Sequence, residues 1–358
     1  NLGLESFFPK AKNLSKLLNN KLDINYTKDE FKIIGNGDII IQKNQDKVIY
    51  SFIKKNKKLN FDTSLIIDDN EFLINFLNYK KDRKNKLKIR FKGSKDLNDE
   101  IKIDYIYFEN EKDKIEFKNK ILDQNYSIVK LQEAKFDYID KENQINKFII
   151  INKKNDYFLR GDLFNASHLL DNLTDSSDKT KLNIFKKKFN LVVKINDVRL
   201  DEEYSIKNLN GNLVLSSNNI IDCDLNASFS NKEKIKFTVT SKNNEKITTL
   251  FTDKARPFVK RYKFIKGFSE GSLDFYSVKK NNIAESNLKI YDFKLKEVPA
   301  LTKLLTLASL QGIADLLSGE GIRFNEFEMK FQNKDSLITI NEIYALGPAI
   351  SILMDGYI

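Results

Sequence analysis

Side chains able to do covalent or metal chemistry are scarce in this sequence. The single histidine, His168, lies in Asn165-Ala-Ser-His-Leu-Leu170, at the start of an expected helix. Any triad or zinc centre would have to be built around that one imidazole. The single cysteine, Cys223, lies far along the chain in an alternating stretch and shares no metal-ligand spacing with His168. It reads as a small buried hydrophobe, and an internal disulfide is excluded. Gly35-x-Gly37 lacks the third glycine of a dinucleotide loop and sits inside a strand-like run. Gly319-Glu320-Gly321 follows an expected helix, whereas a phosphate loop precedes one. There is no P-loop and no Gly-x-Ser-x-Gly elbow. The carboxylates fall in Lys-rich polar turns, as solvated groups do, and none is paired away from water for acid–base work. The expectation is a protein that is not an enzyme, with no catalytic residues, no metal and no cofactor.

The elements that hold these residues are mostly strands. Short runs of period two recur between clusters of Asn, Asp, Lys and Gly. They include Leu87-Ile89-Phe91, Ile101-Ile103-Tyr105-Tyr107, Phe189-Leu191-Val193-Ile195, Ile235-Phe237-Val239 and Tyr291-Phe293-Leu295. Each puts apolar side chains on one face and polar ones on the other. Short polar turns between consecutive runs indicate hairpin after hairpin, a meander with no βαβ units. Helical spacing interrupts at Leu14, Leu17 and Leu18, at Phe72 to Leu77 after the capping cluster Asp68-Asp69-Asn70, and at Leu169, Leu170 and Leu173. It recurs at Phe258, Tyr262 and Phe264 after Pro257, and from Pro299 to Leu317. Lys303, Gln311 and Asp315 argue against that last helix crossing a bilayer. Residues 174–180 are the best linker.

Hydrophobic residues make up 41% and charged residues 31%, a balance that excludes both a disordered chain and an integral membrane bundle. The net charge of +11 is nearly all lysine. Only seven arginines occur, so the residue that forks onto phosphates and bases is almost missing. Aromatic and basic residues do interleave at Lys88-Ile89-Arg90-Phe91 and Arg261-Tyr262-Lys263-Phe264, but a half-buried strand sends them to opposite faces. No nucleic-acid partner is expected. The start at Asn1, without a basic-then-apolar leader, reads as an interior cut.

A long antiparallel meander has an apolar face that must be buried, and the helices are too few and short to cover it. A sheet curled into a trough satisfies this, and so does a closed sandwich. The C-terminal third carries further information. A strand leads into Val298-Pro-Ala-Leu301, a Leu-rich helix and the run Ser309-Leu-Gln-Gly-Ile-Ala-Asp-Leu-Leu-Ser-Gly-Glu-Gly-Ile-Arg-Phe324. Strands carrying Ala345-Leu-Gly-Pro-Ala-Ile350 and Asp355-Gly-Tyr-Ile358 follow. This resembles the AsmA-like C-terminal region family of bacterial envelope proteins. Upstream, Arg160-Gly-Asp-Leu-Phe-Asn-Ala-Ser167 looks like the turn before that family's short helix. Phe251-Thr-Asp-Lys-Ala255 stands where relatives carry an Asp-Ala-Gly turn, with Arg256-Pro257 in place of the glycine.

The resemblance implies a fragment of a longer, periplasmic protein, held in the inner membrane by an anchor outside this fragment. It also implies a long β groove that moves phospholipid towards the outer membrane, with phospholipid acyl chains as ligand and other envelope proteins as possible partners. The expected fold is mainly β: an elongated, twisted antiparallel β-meander curled into an apolar trough, with a few short amphipathic helices. Residues 1–159 form a β-rich segment, and residues 160–358 form the AsmA-like region with its helix near 299–317. Period two assigns the groove lining to Leu191, Val193, Ile195, Ile235, Phe237, Val239, Tyr291, Phe293, Leu295, Phe327, Met329 and Phe331. Leu304, Leu305, Leu316 and Leu317 on that helix close one end. The competing expectation is a scaffold protein with a dry core that binds other envelope proteins.

Overall fold

The computed structural model describes residues 16–81, 85–96, 101–123, 128–154, 156–174, 188–216, 219–260, 267–296, 319, 321–334, 337–348 and 350–357. It is mainly β and antiparallel, with a twisted sheet that does not close into a barrel and two short helices among the described residues. The chain divides into two compact units. One takes residues 1–165, 182–191 and 216–218; the other takes 166–181, 192–215 and 219–358.

The first unit runs as β1 (Lys16–Tyr26), β2 (Glu30–Ile40), β3 (Gln45–Lys55) and β4 (Lys58–Ile67), then the small pair β5 (Leu73–Ile74) and β6 (Tyr79–Lys80). It continues with β7 (Leu87–Lys95), β8 (Ile101–Glu109), β9 (Lys114–Leu122), β10 (Ile128–Ile139), β11 (Ile145–Lys153) and β12 (Asp156–Asn165). Apart from the β5–β6 excursion, each strand pairs antiparallel with the next. Position 159 falls inside β12. Helix α1 (Ser167–Thr174) follows. Then come β13 (Phe189–Arg199), β14 (Ser205–Ser216), β15 (Asn219–Ser228), β16 (Lys234–Lys242) and β17 (Glu245–Thr252), and the single turn of α2 (Arg256–Val259). β18 (Phe268–Lys280), β19 (Ile283–Leu295), β20 (Ile322–Lys334), β21 (Leu337–Leu346) and β22 (Ser351–Tyr357) complete the second unit, again paired in sequence order from β15 onward.

The tight hairpins follow from local chemistry. Asn56-Lys57 joins β3 to β4 with φ of 47° and 66°, and Asn243-Asn244 joins β16 to β17 with φ of 53° and 60°. Two consecutive left-handed residues make the turn whose twist matches the strands it joins, and asparagine tolerates that conformation best after glycine.

Left-handed residues also occur inside strands, and there they change which face a side chain occupies. Asp292 in β19 has φ of 52°, beside Glu270 (66°) and Gly271 (81°) in β18. A Cβ built on Gly271 would lie 2.9 Å from the Phe293 Cβ and 3.5 Å from the Ile290 Cγ2. Ile290 and Phe293 therefore share a face although three positions separate them. In the first unit Asn119 of β9 is left-handed (φ 47°), and the β7–β8 register shifts between Lys92 and Gly93. Across β8 to β10 the set of residues on the apolar face changes phase there, from Ile106, Phe117 and Ala134 to Ile103 and Leu131 with Lys120 between them. These are bulge-like devices that re-aim side chains without ending the ladder.

The expected helix at 72–77 is not formed. Its residues make β5 and one 3-10 turn at Asn75–Leu77, and β6 follows. Asn78, at φ 52°, stops the turn. The supposed cap Asn70 instead donates to the Asn44 carbonyl (2.8 Å) and the Asp46 carboxylate (2.7 Å), tying the excursion to the β2–β3 turn. Phe72, Ile74 and Tyr79 are buried with Ile41, Ile67, Leu87 and Ile115. The excursion thus seals one end of the first unit's core, at about 1.5–3 kcal/mol for each large apolar side chain buried. Leu17 and Leu18, also expected in a helix, belong to β1, where Leu17 pairs with Ile39 of β2. The short helix at Leu169 and Leu170 is present as α1, and that at Phe258 as α2. Leu14, Tyr262, Phe264 and the helix expected at 299–317 lie outside the described residues, as does the linker at 175–180.

Candidate functional site, an apolar face across consecutive strands

In an antiparallel ladder, directly opposed residues point to the same face. Following the register of the second unit from strand to strand gives a row of Leu225, Phe237, Leu250, Phe275, Leu288, Met329 and Ile343, one from each of β15 to β21. All are large and apolar, and all are half-buried. A second row on the same face runs Ala227, Ile235, Thr252, Leu273, Ile290, Phe327 and Ala345. A third runs Cys223, Val239, Thr248, Ser277, Ser286, Phe331 and Ile340, so it softens to small hydroxyls mid-sheet. Strands are spaced about 4.8 Å apart, so a seven-strand row extends roughly 29 Å along the hydrogen-bond direction.

The opposite face is polar and charged. Its corresponding row is Asp224, Thr238, Thr249, Tyr276, Asn287, Lys330 and Glu342. The Thr238 and Thr249 hydroxyls are 2.6 Å apart, the Asn287 amide donates to Glu328 (2.8 Å) and Lys330 pairs with Glu342 (2.9 Å). Lys289 reaches Glu328 at 3.4 Å and Glu326 at 3.7 Å. Burial works against ionisation of Glu328, yet the Asn287 hydrogen bond and Lys289 together hold its carboxyl below the usual range. Such exposed pairs add at most about 1 kcal/mol each. Their role is to keep this face in water, which leaves the other as the face that needs cover.

One end of the apolar face is closed by packing. Phe293 stacks on Phe268 (5.3 Å between centroids) and Phe324 (5.2 Å), and meets Phe327 edge-on at 6.5 Å. Ala255 and Val259 of the α2 connector are buried in the same cluster with Leu273, Ile290 and Ile322. The Ala255 amide donates to the carbonyl of Gly271 (2.7 Å), so the left-handed residue that re-aims β18 also anchors the connector. Phe251 and Thr252 end β17, and Asp253 to Ala255 connect it to α2.

The structure gathers most of the expected lining residues and separates others. Ile235, Phe237, Val239, Phe327, Met329 and Phe331 fall in the three rows. Phe293 and Leu295 belong to the closed end. Tyr291 does not share their face: the switch at Asp292 places it on the polar side, beside Lys289. Ile290, its neighbour, takes the apolar position. Leu191, Val193 and Ile195 alternate along β13; Leu191 packs on the core of the first unit, and Val193 and Ile195 are buried residues of the second. Leu304, Leu305, Leu316 and Leu317 lie outside the described residues. Leu225, Leu250, Phe275 and Leu288 were missed, although each stands on a strand next to one that was read. Cys223 is buried, and burial, then Asp224 and Asp222, push its thiol up to about 11. His168 is the second residue of α1 and half-buried. Among the described residues, no three His, Cys, Asp or Glu side chains gather as a metal site would require.

The first unit repeats the plan. Val48, Leu65, Ile89, Phe108, Ile115, Phe136 and Phe148 form one row across β3 to β11. Tyr50, Thr63, Phe91, Ile106, Phe117, Ala134, Ile150 and Leu159 form the next, across β3 to β12. On the other face a groove of about 530 Å³ is lined by Ile34, Ile49, Asp62, Lys88, Arg90 and Lys92. Its arginine is already held at two points by Asp62 (2.8 and 3.0 Å) and lies 5.5 Å from the Tyr105 ring centroid. With its guanidinium held by Asp62, this groove is the weaker candidate. No family model, curated protein or solved structure matches this chain.

Proposed function

We propose that this chain is a non-enzymatic envelope protein. It binds phospholipid acyl chains along the apolar face of its antiparallel sheet and serves as a bridge for their passage between the inner and outer membranes. The observation that carries the reading is the row from Leu225 to Ile343: large apolar side chains on seven consecutive strands, none fully buried, backed by an ion-paired face. A half-covered apolar strip of this length is rare on a protein that has nothing to cover it. An acyl chain laid along it is shielded at about 0.8 kcal/mol per methylene. The same step repeats at every strand, so a chain slides along the strip without large changes in energy. Such a surface conducts lipid passively, and direction comes from outside the sheet. The resemblance of the C-terminal motifs to the AsmA-like region adds the membrane-anchored, periplasmic setting.

The test is native mass spectrometry of the purified chain with extraction of bound lipid. Leu250→Asp and Leu288→Asp each set a charge in the middle of the strip and are expected to lower bound phospholipid about tenfold or more. Thr240→Asp, on the polar face, leaves it unchanged. Circular dichroism checks that all three keep their strands. Equal lipid in all four proteins, or none in the parent, counts against the proposal.

A second reading, a scaffold acting through protein contacts, draws on a different feature. β1 holds Leu17, Leu22, Ile24 and Tyr26 at 53%, 56%, 59% and 78% exposure. Exposed apolar strands of this kind recruit a partner strand. This reading predicts a lipid-free protein whose partner contacts are lost when Leu22 and Ile24 become lysine.

A further inference from the structure

One cation stands within the apolar face of the first unit. Lys120 of β9 is directly opposite Ile103 on one side and Leu131 on the other, both buried. Strict alternation from Ile115 and Phe117 would send it to the polar side. The left-handed Asn119 re-aims it, and its ammonium lies 5.5 Å from the centroid of the Phe117 ring. The neighbouring lysines find carboxylates: Lys118 has Glu116 (3.5 Å) and Glu133 (3.4 Å), and Lys135 has Glu133 (3.4 Å). Among the described residues, Lys120 has no acidic partner. An unpaired cation in apolar surroundings is costly unless something anionic meets it. Beside it runs a half-buried row of the same face, with Ile106, Phe117, Ile150 and Leu159 on β8, β9, β11 and β12.

We propose that Lys120 is a head-group site: its ammonium receives the carboxylate or phosphate of an anionic amphiphile whose hydrocarbon chain lies along that row. The assignment rests on the lipid-binding reading and adds to it the charge of the ligand and the place where the head is held. Charge complementarity selects the occupant, because a neutral or cationic head would leave the ammonium unsatisfied. Burial alone pulls the Lys120 ammonium down to about 8, the response of a cation with no counter-charge in place.

The lipid-stripped full chain is titrated with oleate below its micelle concentration, with oleyl alcohol as the uncharged chain of the same length, and with inorganic phosphate. The expected result is oleate binding about tenfold tighter than oleyl alcohol. Lys120→Met, which keeps the aliphatic stem, removes that difference and leaves oleyl alcohol binding as it was. A preference for oleate that survives in Lys120→Met overturns the site. Equal binding of the two chains to the parent protein overturns it too, while leaving the lipid reading intact. Failure of both chains to bind defeats the lipid reading and the site together. Inorganic phosphate that binds in a Lys120-dependent way without any chain shows a simple anion site and overturns the amphiphile.

Discussion

Phe293→Ala is expected to destabilise β18 to β20 by about 3–5 kcal/mol, the usual cost of emptying a buried aromatic position. Its ring is stacked between Phe268 and Phe324, and it is 4% exposed, so its removal leaves a cavity bounded by two rings and by the α2 connector. The backbone there cannot relax freely. Gly271 approaches so closely that a Cβ on it would be 2.8 Å from the Tyr291 carbonyl, and Asp292 and Glu270 are held left-handed around it. Hydrogen exchange of the β19 and β20 amides measures the loss as a lower free energy of local opening. Phe293→Leu, which refills much of the volume, should recover more than half of it. The polar-face variant Thr240→Asp should leave those amides unchanged to within about 0.5 kcal/mol.

Asp140→Ala should cost a similar amount, about 3–5 kcal/mol, for an electrostatic reason. Asp140 is 6% exposed, at the turn between β10 and β11. One carboxylate oxygen accepts from the amides of Glu142 (2.9 Å) and Gln144 (3.0 Å), and the other accepts from the side-chain amides of Asn146 (3.0 Å) and Asn165 (2.8 Å). Asn146 is itself 1% exposed, and its carbonyl oxygen takes the Asn165 backbone amide at 2.8 Å. Alanine strands several donors at once, among them the side-chain amides of the buried Asn146 and Asn165. Asp140→Asn keeps the shape but turns an NH2 group towards some of those donors, so an intermediate loss is expected. Denaturant unfolding followed by tyrosine fluorescence, to which the buried Tyr79 and Tyr138 of the first unit contribute, reads the order Ala, then Asn, then the parent. Equal stability of the three would show that the network holds nothing together.

Most of the fold was legible because it rests on period two. β7, β8, β13, β16 and β19 follow the alternating runs closely, and the polar turns between them force an antiparallel meander. The face of each side chain was less legible, and the reason is specific. A left-handed Asn119, Asp292 or Glu270 looks in the sequence like any polar residue of an alternating strand, yet it reverses the phase beyond it. Tyr291 was misplaced and Ile290 overlooked for that reason alone. A signal was present: apolar residues three apart within a strand, as in Ile103 and Ile106, Leu131 and Ala134, or Ile290 and Phe293. Spacing of three read as noise within a strand because it belongs to helices. The same ambiguity produced a helix at 72–77, where Asn70 is used to tie a loop. The rows themselves need register, which no single strand carries.

Lipid chains on the proposed strip lie on one face of the sheet and not on the other. A photo-crosslinking amino acid placed at Leu250 and at its sequence neighbour Thr249 tests it most directly, because the two positions differ only in the face they occupy. A lipid adduct, seen as a mass shift after irradiation in the presence of phospholipid vesicles, is expected from position 250 and none from position 249. Equal adducts from both, or an adduct from 249 alone, would contradict it.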